Sequence, residues 1–233
     1  MSKKIGVIVF PGSNCDHDAY HAMKHVMNAE TVFLWHKDTD LQDVDLVLVP
    51  GGFSYGDYLR SGAIARFSPI MEEVKEFAEK GGPVLGICNG FQILLEAGLL
   101  PGAMLHNEKL RFVCKNVFIR VESTRSLYTK GLHKGQILDV PVSHGEGNYF
   151  IDQEGLHQLE ENDQIVFRYC NSEGELTQEA NFNGSVSAIA GITNMEGNVL
   201  GMMPHPERAM ETVLGSTDGI PFFESVLTSL QTT

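Results

Sequence analysis

Residues 83–97 read Pro-Val-Leu-Gly-Ile-Cys-Asn-Gly-Phe-Gln-Ile-Leu-Leu-Glu-Ala, and the fold turns on how this stretch divides. Pro83 to Ile87 is a short apolar run bounded by Gly81-Gly82, the pattern of a strand buried on both faces. Asn89 to Ala97 then reads as a helix. At the junction stands Gly86-Ile87-Cys88-Asn89-Gly90, the form G-x-S-x-G with cysteine in the serine position. A strand-to-helix turn this tight strains its central residue, and small residues two positions either side let neighbouring backbones approach. Cys88 would then project at a helix N-terminus, where the dipole favours thiolate over thiol. A buried structural cysteine between packing glycines fits the same five residues.

Upstream, Ile5 to Phe10, Thr31 to Trp35 and Asp45 to Val49 are further apolar runs alternating with helical patterns at about 16–28 and after Ser68-Pro69, the arrangement of a parallel sheet fed by crossover helices. Ser13-Asn14 and Ser68 are the expected helix caps, with Pro69 at a first helical position. From about Arg111 to Leu200 the pattern is strand-rich, at 112–121, 137–142, 165–169, 186–193 and 199–203, with no helix of length expected. A helix at about 220–230 closes the chain, with Phe223, Leu227 and Leu230 on one face. These elements predict a single α/β domain over residues 1–233. Its form is a three-layer sandwich around a central, mostly parallel sheet, with extra β-strands in the second half.

Composition sets the outer limits. Across 233 residues, 42% hydrophobic and 20% charged describe a folded globular chain rather than a disordered or membrane-embedded one. Seventeen basic against thirty acidic residues give −13, with no basic run, so nucleic acid is not an expected partner. The run Ile5 to Phe10 is too short for a signal core or a membrane span, so a cytoplasmic location is expected. Cys15, Cys88, Cys114 and Cys170 form no CxxC pair, and neither structural metal nor disulfide is expected. Cys15 precedes Asp16-His17-Asp18, which hints at metal, but acids also suit a first helical turn. Cys114 and Cys170 lie within strands and read as core. Asn183-Gly184-Ser185 reads as a turn rather than a glycosylation site. No GxxxxGK loop supports ATP binding.

An acyl-transfer cysteine needs an oxyanion site and a base. The elbow offers the backbone N–H of Asn89, and Gly52, in the Pro50-Gly51-Gly52-Phe53 stretch after a strand, is the candidate second donor, although a glycine pair there also makes an ordinary turn. The base candidate is His205 in Pro204-His205-Pro206-Glu207-Arg208. Pro206 forces an extended link, so Glu207 can project beside His205 and orient the imidazole, as in the general triad. His-x-Glu by itself offers a metal two ligands at most. A prolyl loop with an ion pair is the bland reading, and the occurrence of the elbow elsewhere in the chain argues against it.

These residues resemble a family. Gly86 to Gln92 with Pro204 to Glu207 is similar to the class I (triad) glutamine amidotransferases, whose fold is flavodoxin-like. Pro50 to Ala65, Ser143-His-Gly-Glu-Gly147 and Asn183 to Ser185 resemble more narrowly the glutaminase subunits of phosphoribosylformylglycinamidine synthase. Phe182 departs from the proline expected there, with a consequence expected only for turn stiffness. The resemblance implies that Cys88 attacks the carboxamide of L-glutamine, that His205 relays the proton, and that a glutamyl thioester is hydrolysed to glutamate. It also implies that Gln92 and the backbone of Ser143, Gly145 and Glu146 hold the amino-acid end of the substrate. No cofactor is implied in this chain. ATP and magnesium belong to a large synthetase subunit, which with a small third subunit receives the ammonia for purine biosynthesis. A free-standing cysteine hydrolase and a flavodoxin-like binding module with an inert Cys88 are the rival readings.

Overall fold

The computed structural model describes residues 3–231. In its first half, β1 (Lys4–Val9), β2 (Glu30–Trp35), β3 (Leu46–Val49) and β4 (Val84–Ile87) are the expected apolar runs, and β3 and β4 are buried along their whole length. Helices α1 (Asp16–His21), α2 (Pro69–Glu79) and α3 (Asn89–Glu96) make the crossovers, and α1 continues as a wider π-turn over Ala22–Val26. The second half supplies β6 (Val113–Val121), β7 (Ile137–His144), β9 (Ile165–Cys170), β10 (Ile189–Thr193) and β11 (Val199–Met202), and α5 (Gly219–Gln231) closes the fold. Its Phe223 and Leu230 are buried, as the shared face predicts. The exposed surface is 10267 Å², against roughly 10,000 Å² expected for one compact domain of this mass.

Strand order in the large sheet is β2-β1-β3-β4-β11-β10-β9-β6-β7. The pairings from β2 through to β11 are parallel, and those from β11 to β7 are antiparallel. The extra strands therefore extend the central sheet instead of forming a separate layer. A small two-stranded sheet, β5 (Ala103–Leu105) with β8 (Asn148–Phe150), stands apart.

One pairing assembles the site. β11 lies parallel to β4 with Gly201 opposite Gly86 and Met202 opposite Ile87, so the chain leaves both strands at the same sheet edge. Cys88 follows one strand and His205 follows the other. Although β7 is the far edge of the ladder, the Pro141 carbonyl accepts a 2.8 Å bond from His205 N–H. The antiparallel half thus curls back over the parallel half, as accumulated strand twist allows.

Several local expectations are corrected. Helix α4 (Gln153–Glu161) interrupts the strand-rich half, capped by Asp152, whose carboxylate accepts from Gly155 N–H. Residues 186–188 form a 3₁₀ turn before β10 begins. The N-cap of α1 is Cys15 rather than Ser13 or Asn14. Ser68 occupies the cap position of α2, but its hydroxyl bonds Tyr55 Oη at 2.9 Å instead of the helix N–H groups. Cys114 is exposed, whereas Cys170 is buried. Asn183 is fully buried, its amide donating to the Gly147 carbonyl, which leaves no acceptor on the surface for a glycan. Phe182 does more than loosen a turn: its ring packs against His144 and Tyr169 behind the site.

Candidate active site

Cys88 has φ 51° and ψ −108°, a conformation that costs a non-glycine residue roughly 1–3 kcal/mol. The surroundings enforce it. Cys88 N–H donates to Met202 O at 2.8 Å, and its carbonyl accepts from Gln92 N–H at the start of α3. The elbow glycines are required for space: a Cβ on Gly90 would stand 1.9 Å from the Val49 carbonyl oxygen, and one on Gly86 would meet Gly90 at 2.8 Å. The bend the sequence predicts is therefore built by β3, β4, β11 and α3 together.

The loop after β3 closes against the elbow. A Cβ on Gly51 would lie 2.7 Å from His205 Cε1 and 3.3 Å from Cys88 Cβ, so these two residues converge on one point. Gly52 sits at φ +125°, a region open to glycine, and its missing Cβ makes room for Asn14. The Asn89 side chain ties this loop to the helix: its Oδ1 accepts from Ser54 N–H, and its Nδ2 donates to Asp57 and to Gln92 Oε1.

His205 and Glu207 are buried and joined by a 2.6 Å contact between Nδ1 and Oε1; the expected pair forms, but across a 3₁₀ turn at Pro206–Arg208 rather than the extended link that Pro206 suggested. That leaves Nε2 on the side of Cys88, which converges with the ring at Gly51 and whose sulfur raises the imidazole's affinity for a proton. Burial pulls the His205 pKa down, but the Glu207 carboxylate and then the Cys88 sulfur more than offset it, pushing it up to about 10. The imidazole therefore carries a proton at neutral pH, the state needed to protonate a leaving nitrogen.

Gly52, Phe53, Cys88, Gln92, Ser143 and Glu146 line a cleft of about 180 Å³, with Gly145 in the same wall. Larger grooves elsewhere, such as the one of about 510 Å³ between residues 39–44 and α2, contain none of this chemistry. The Ser143 carbonyl faces the Cys88 sulfur at 3.7 Å. Gln92 is committed at both ends, donating to Glu146 O at 2.6 Å and accepting from Asn89, so its side chain shapes the wall by holding the 143–147 loop. Asn89 and Glu207 stand behind the lining.

Residues beyond those singled out from the sequence complete the cleft. Asp57 faces it with its pKa raised to about 6, first by burial and then by Glu146, against hydrogen bonds from Ser61 and Asn89. His144 is buried, and its pKa is lowered to about 4 by burial and by the charge of His205. Its Nδ1 meets Asn107 Oδ1 at 3.0 Å. Both lie inside the quoted loop segments, but nothing in their spacing distinguished them.

Cys15 also arrives here, 193 positions before its partner: Arg208 Nη2 donates to its sulfur at 3.0 Å. The sulfur, a His205 nitrogen and a Glu207 oxygen lie within 4.8 Å of one another, so the fold adds a third donor to the two that His-x-Glu provides. As a metal site it fits poorly, because Arg208 already puts a cation on the sulfur and Nδ1 is bonded to Glu207.

Comparison with known proteins agrees with this geometry. Residues 2–219 match the family model described as a CobB/CobQ-like glutamine amidotransferase domain. A protein of Salinibacter ruber named phosphoribosylformylglycinamidine synthase subunit PurQ is 60% identical, over 97% of each chain. A protein of the same name from Synechocystis is 57% identical, over 94% of this chain and 98% of that one. The solved structure described as PurLQS from Thermotoga maritima superposes with a TM-score of 0.86 at 43% identity, over 99% of this chain and 100% of that one. A family match across 2–219, with a nucleophile elbow and a buried His–Glu pair meeting at one sheet edge, leaves one assignment: the chain belongs to the CobB/CobQ-like glutamine amidotransferase family and is a glutamine-hydrolysing enzyme.

Proposed function

We propose that this chain is the glutaminase subunit of phosphoribosylformylglycinamidine synthase, working through Cys88, His205 and Glu207. The observation that carries the chemistry is the meeting of a strained Cys88 with a buried, Glu207-bonded His205. The near-full-length identity to proteins of that name supports the choice of pathway. Cys88 sulfur attacks the carboxamide carbon of glutamine, and the N–H groups of Gly52 and Asn89 receive the developing oxyanion. Protonated His205 donates to the nitrogen, the C–N bond breaks, and ammonia leaves a glutamyl thioester. Neutral His205 then takes a proton from water during hydrolysis. Asp57 and Glu146 place carboxylates where the substrate's ammonium would sit, with the Ser143 to Glu146 backbone alongside.

The ammonia would pass to a large synthetase subunit that uses ATP and magnesium on formylglycinamide ribonucleotide, in a complex with a small third subunit. An apolar rim suits such docking: exposed Phe53 and Phe112 line the cleft and stack on one another at 6.3 Å, and exposed Tyr58 and Leu59 follow directly after Asp57 of the same lining. A contiguous exposed apolar patch is the kind of surface a partner covers. Contact through 53–66 and 143–149 would also shield the cleft. Among the described residues no helix is long and apolar enough to cross a membrane. Assaying one purified complex with glutamine and with ammonium tests the reading. Cys88→Ala should abolish glutamine-dependent synthesis and spare ammonia-dependent synthesis; loss of both would assign Cys88 to assembly. Full glutaminase activity without the synthetase would favour a free-standing hydrolase.

A further inference from the structure

Behind the imidazole lies a second, smaller space of about 30 Å³, bounded by Asn14, Cys15, Gly52, Ser143, His205 and Arg208. It shares Gly52, Phe53 and Ser143 with the glutamine cleft, so the two adjoin. Of the two reacting side chains, Cys88 lines the cleft and His205 lines the small cavity. About 10–15 Å³ is enough for one water, provided polar partners surround it. Here the imidazole, the Arg208 guanidinium and the Asn14 amide supply them. Next to this lining, a Glu207 oxygen lies within 4.8 Å of the Cys15 sulfur and a His205 nitrogen, and the Glu207 Oε2 is buried without a hydrogen-bond partner among the described residues. Asn14, one of the lining residues, is exposed, so the cavity has solvent on the side away from Cys88.

We propose that this cavity positions the water that hydrolyses the glutamyl thioester, with Cys15 and Arg208 as positioning residues. The proposal rests on the thioester reading above. Once ammonia has left, His205 is neutral and can accept a proton from a water held against it. The water oxygen forms the new C–O bond while its proton passes to the imidazole, collapse breaks the C–S bond, and the proton returns to the Cys88 sulfur. The second water proton stays with the product carboxyl and is lost to solvent as glutamate forms. A partner seated over the cleft mouth would close that side to water, and the rear cavity would still deliver it.

Cys15→Leu adds side-chain volume into the cavity, and Asn14→Leu changes its exposed rim with little risk to folding. Each full-length variant, in complex with the synthetase, is mixed rapidly with glutamine, following ammonia release and the mass of the glutamyl adduct on Cys88. The expected result is an ammonia burst of one equivalent at the unaltered rate, an accumulated adduct, and steady-state turnover lowered about tenfold in Cys15→Leu and less in Asn14→Leu. Unchanged turnover without adduct in both variants overturns the proposal. So does a parallel fall of burst rate and turnover, which would mean that Cys15 only supports the triad. Absence of any burst or adduct in the unsubstituted complex would instead remove the thioester reading itself.

Discussion

Replacing Glu207 by glutamine keeps the shape of the carboxylate and removes its charge. His205 is completely buried, so desolvation alone would hold its pKa below 6.5; the rise to about 10 comes first from Glu207 and then from Cys88. A net rise from 6.5 to about 10 corresponds to about 5 kcal/mol favouring the imidazolium, at 1.36 kcal/mol per pH unit. With its larger favourable partner neutral, the imidazole should lose its proton at least on the order of two pH units lower. The loss is felt at the step in which His205 protonates the leaving nitrogen, so kcat/KM for glutamine should fall on an alkaline limb displaced by that amount. Ammonia-dependent synthesis should keep its own profile. The defect at neutral pH should be milder than in His205→Ala, which removes the proton carrier. Stability shifts in the same window: a raised folded-state pKa contributes stability that is present below pH 6.5 and lost as pH rises through about 10, and Glu207→Gln should make that alkaline loss smaller and move it to lower pH. A pH–rate profile for Glu207→Gln superimposable on the unsubstituted one would refute the electrostatic role, leaving Glu207 a packing residue.

Further outcomes follow from the same geometry. Gly90→Ala drives a Cβ to 1.9 Å from a strand carbonyl, so it should cost about 3 kcal/mol or more and displace Cys88, whereas Gly98→Ala, with no atom within 4 Å, should cost only about 1 kcal/mol for its left-handed φ of +73°; denaturant midpoints compare the two. His144 titrates at 6.5 unfolded and at about 4 folded. Its contribution is therefore complete above pH 6.5 and lost as pH falls toward 4, about 3 kcal/mol in all, and His144→Asn should flatten that part of the stability curve measured by urea melts. Leu59→Asp, at a side chain 91% exposed, should weaken binding to the synthetase by at least about tenfold in calorimetry without changing the thermal midpoint.

What the sequence exposed was what neighbouring residues decide for themselves. The elbow could be read because its strand, turn and helix are contiguous, and because the carbonyl that forbids a side chain at Gly90 belongs to the strand expected beside it. The His205–Glu207 pair was legible from its two-residue spacing, but the backbone that joins it is a 3₁₀ turn and not the extended link expected from Pro206. Helix α4 was missed for the opposite reason: only Leu156 and Leu159 mark an apolar face, and Gly155 weakens the pattern, so the Asp152 cap was the sole available signal. Gln92 was placed in the right wall, yet the wall needs its amide to bind the Glu146 carbonyl, a contact made across 54 positions. Cys15, Asp57 and His144 lie beyond such reasoning altogether, since their charge states are set by burial and by residues far along the chain that the sheet edge and the curled-back strands bring near. The nucleophile's position is thus a local property, and the protonation of the groups around it is a property of the closed sheet. A substitution that loosens contact between β7 and the His205 loop, such as at the Pro141 carbonyl's 2.8 Å bond, should therefore leave the bend at Cys88 intact while altering the pH at which the enzyme works.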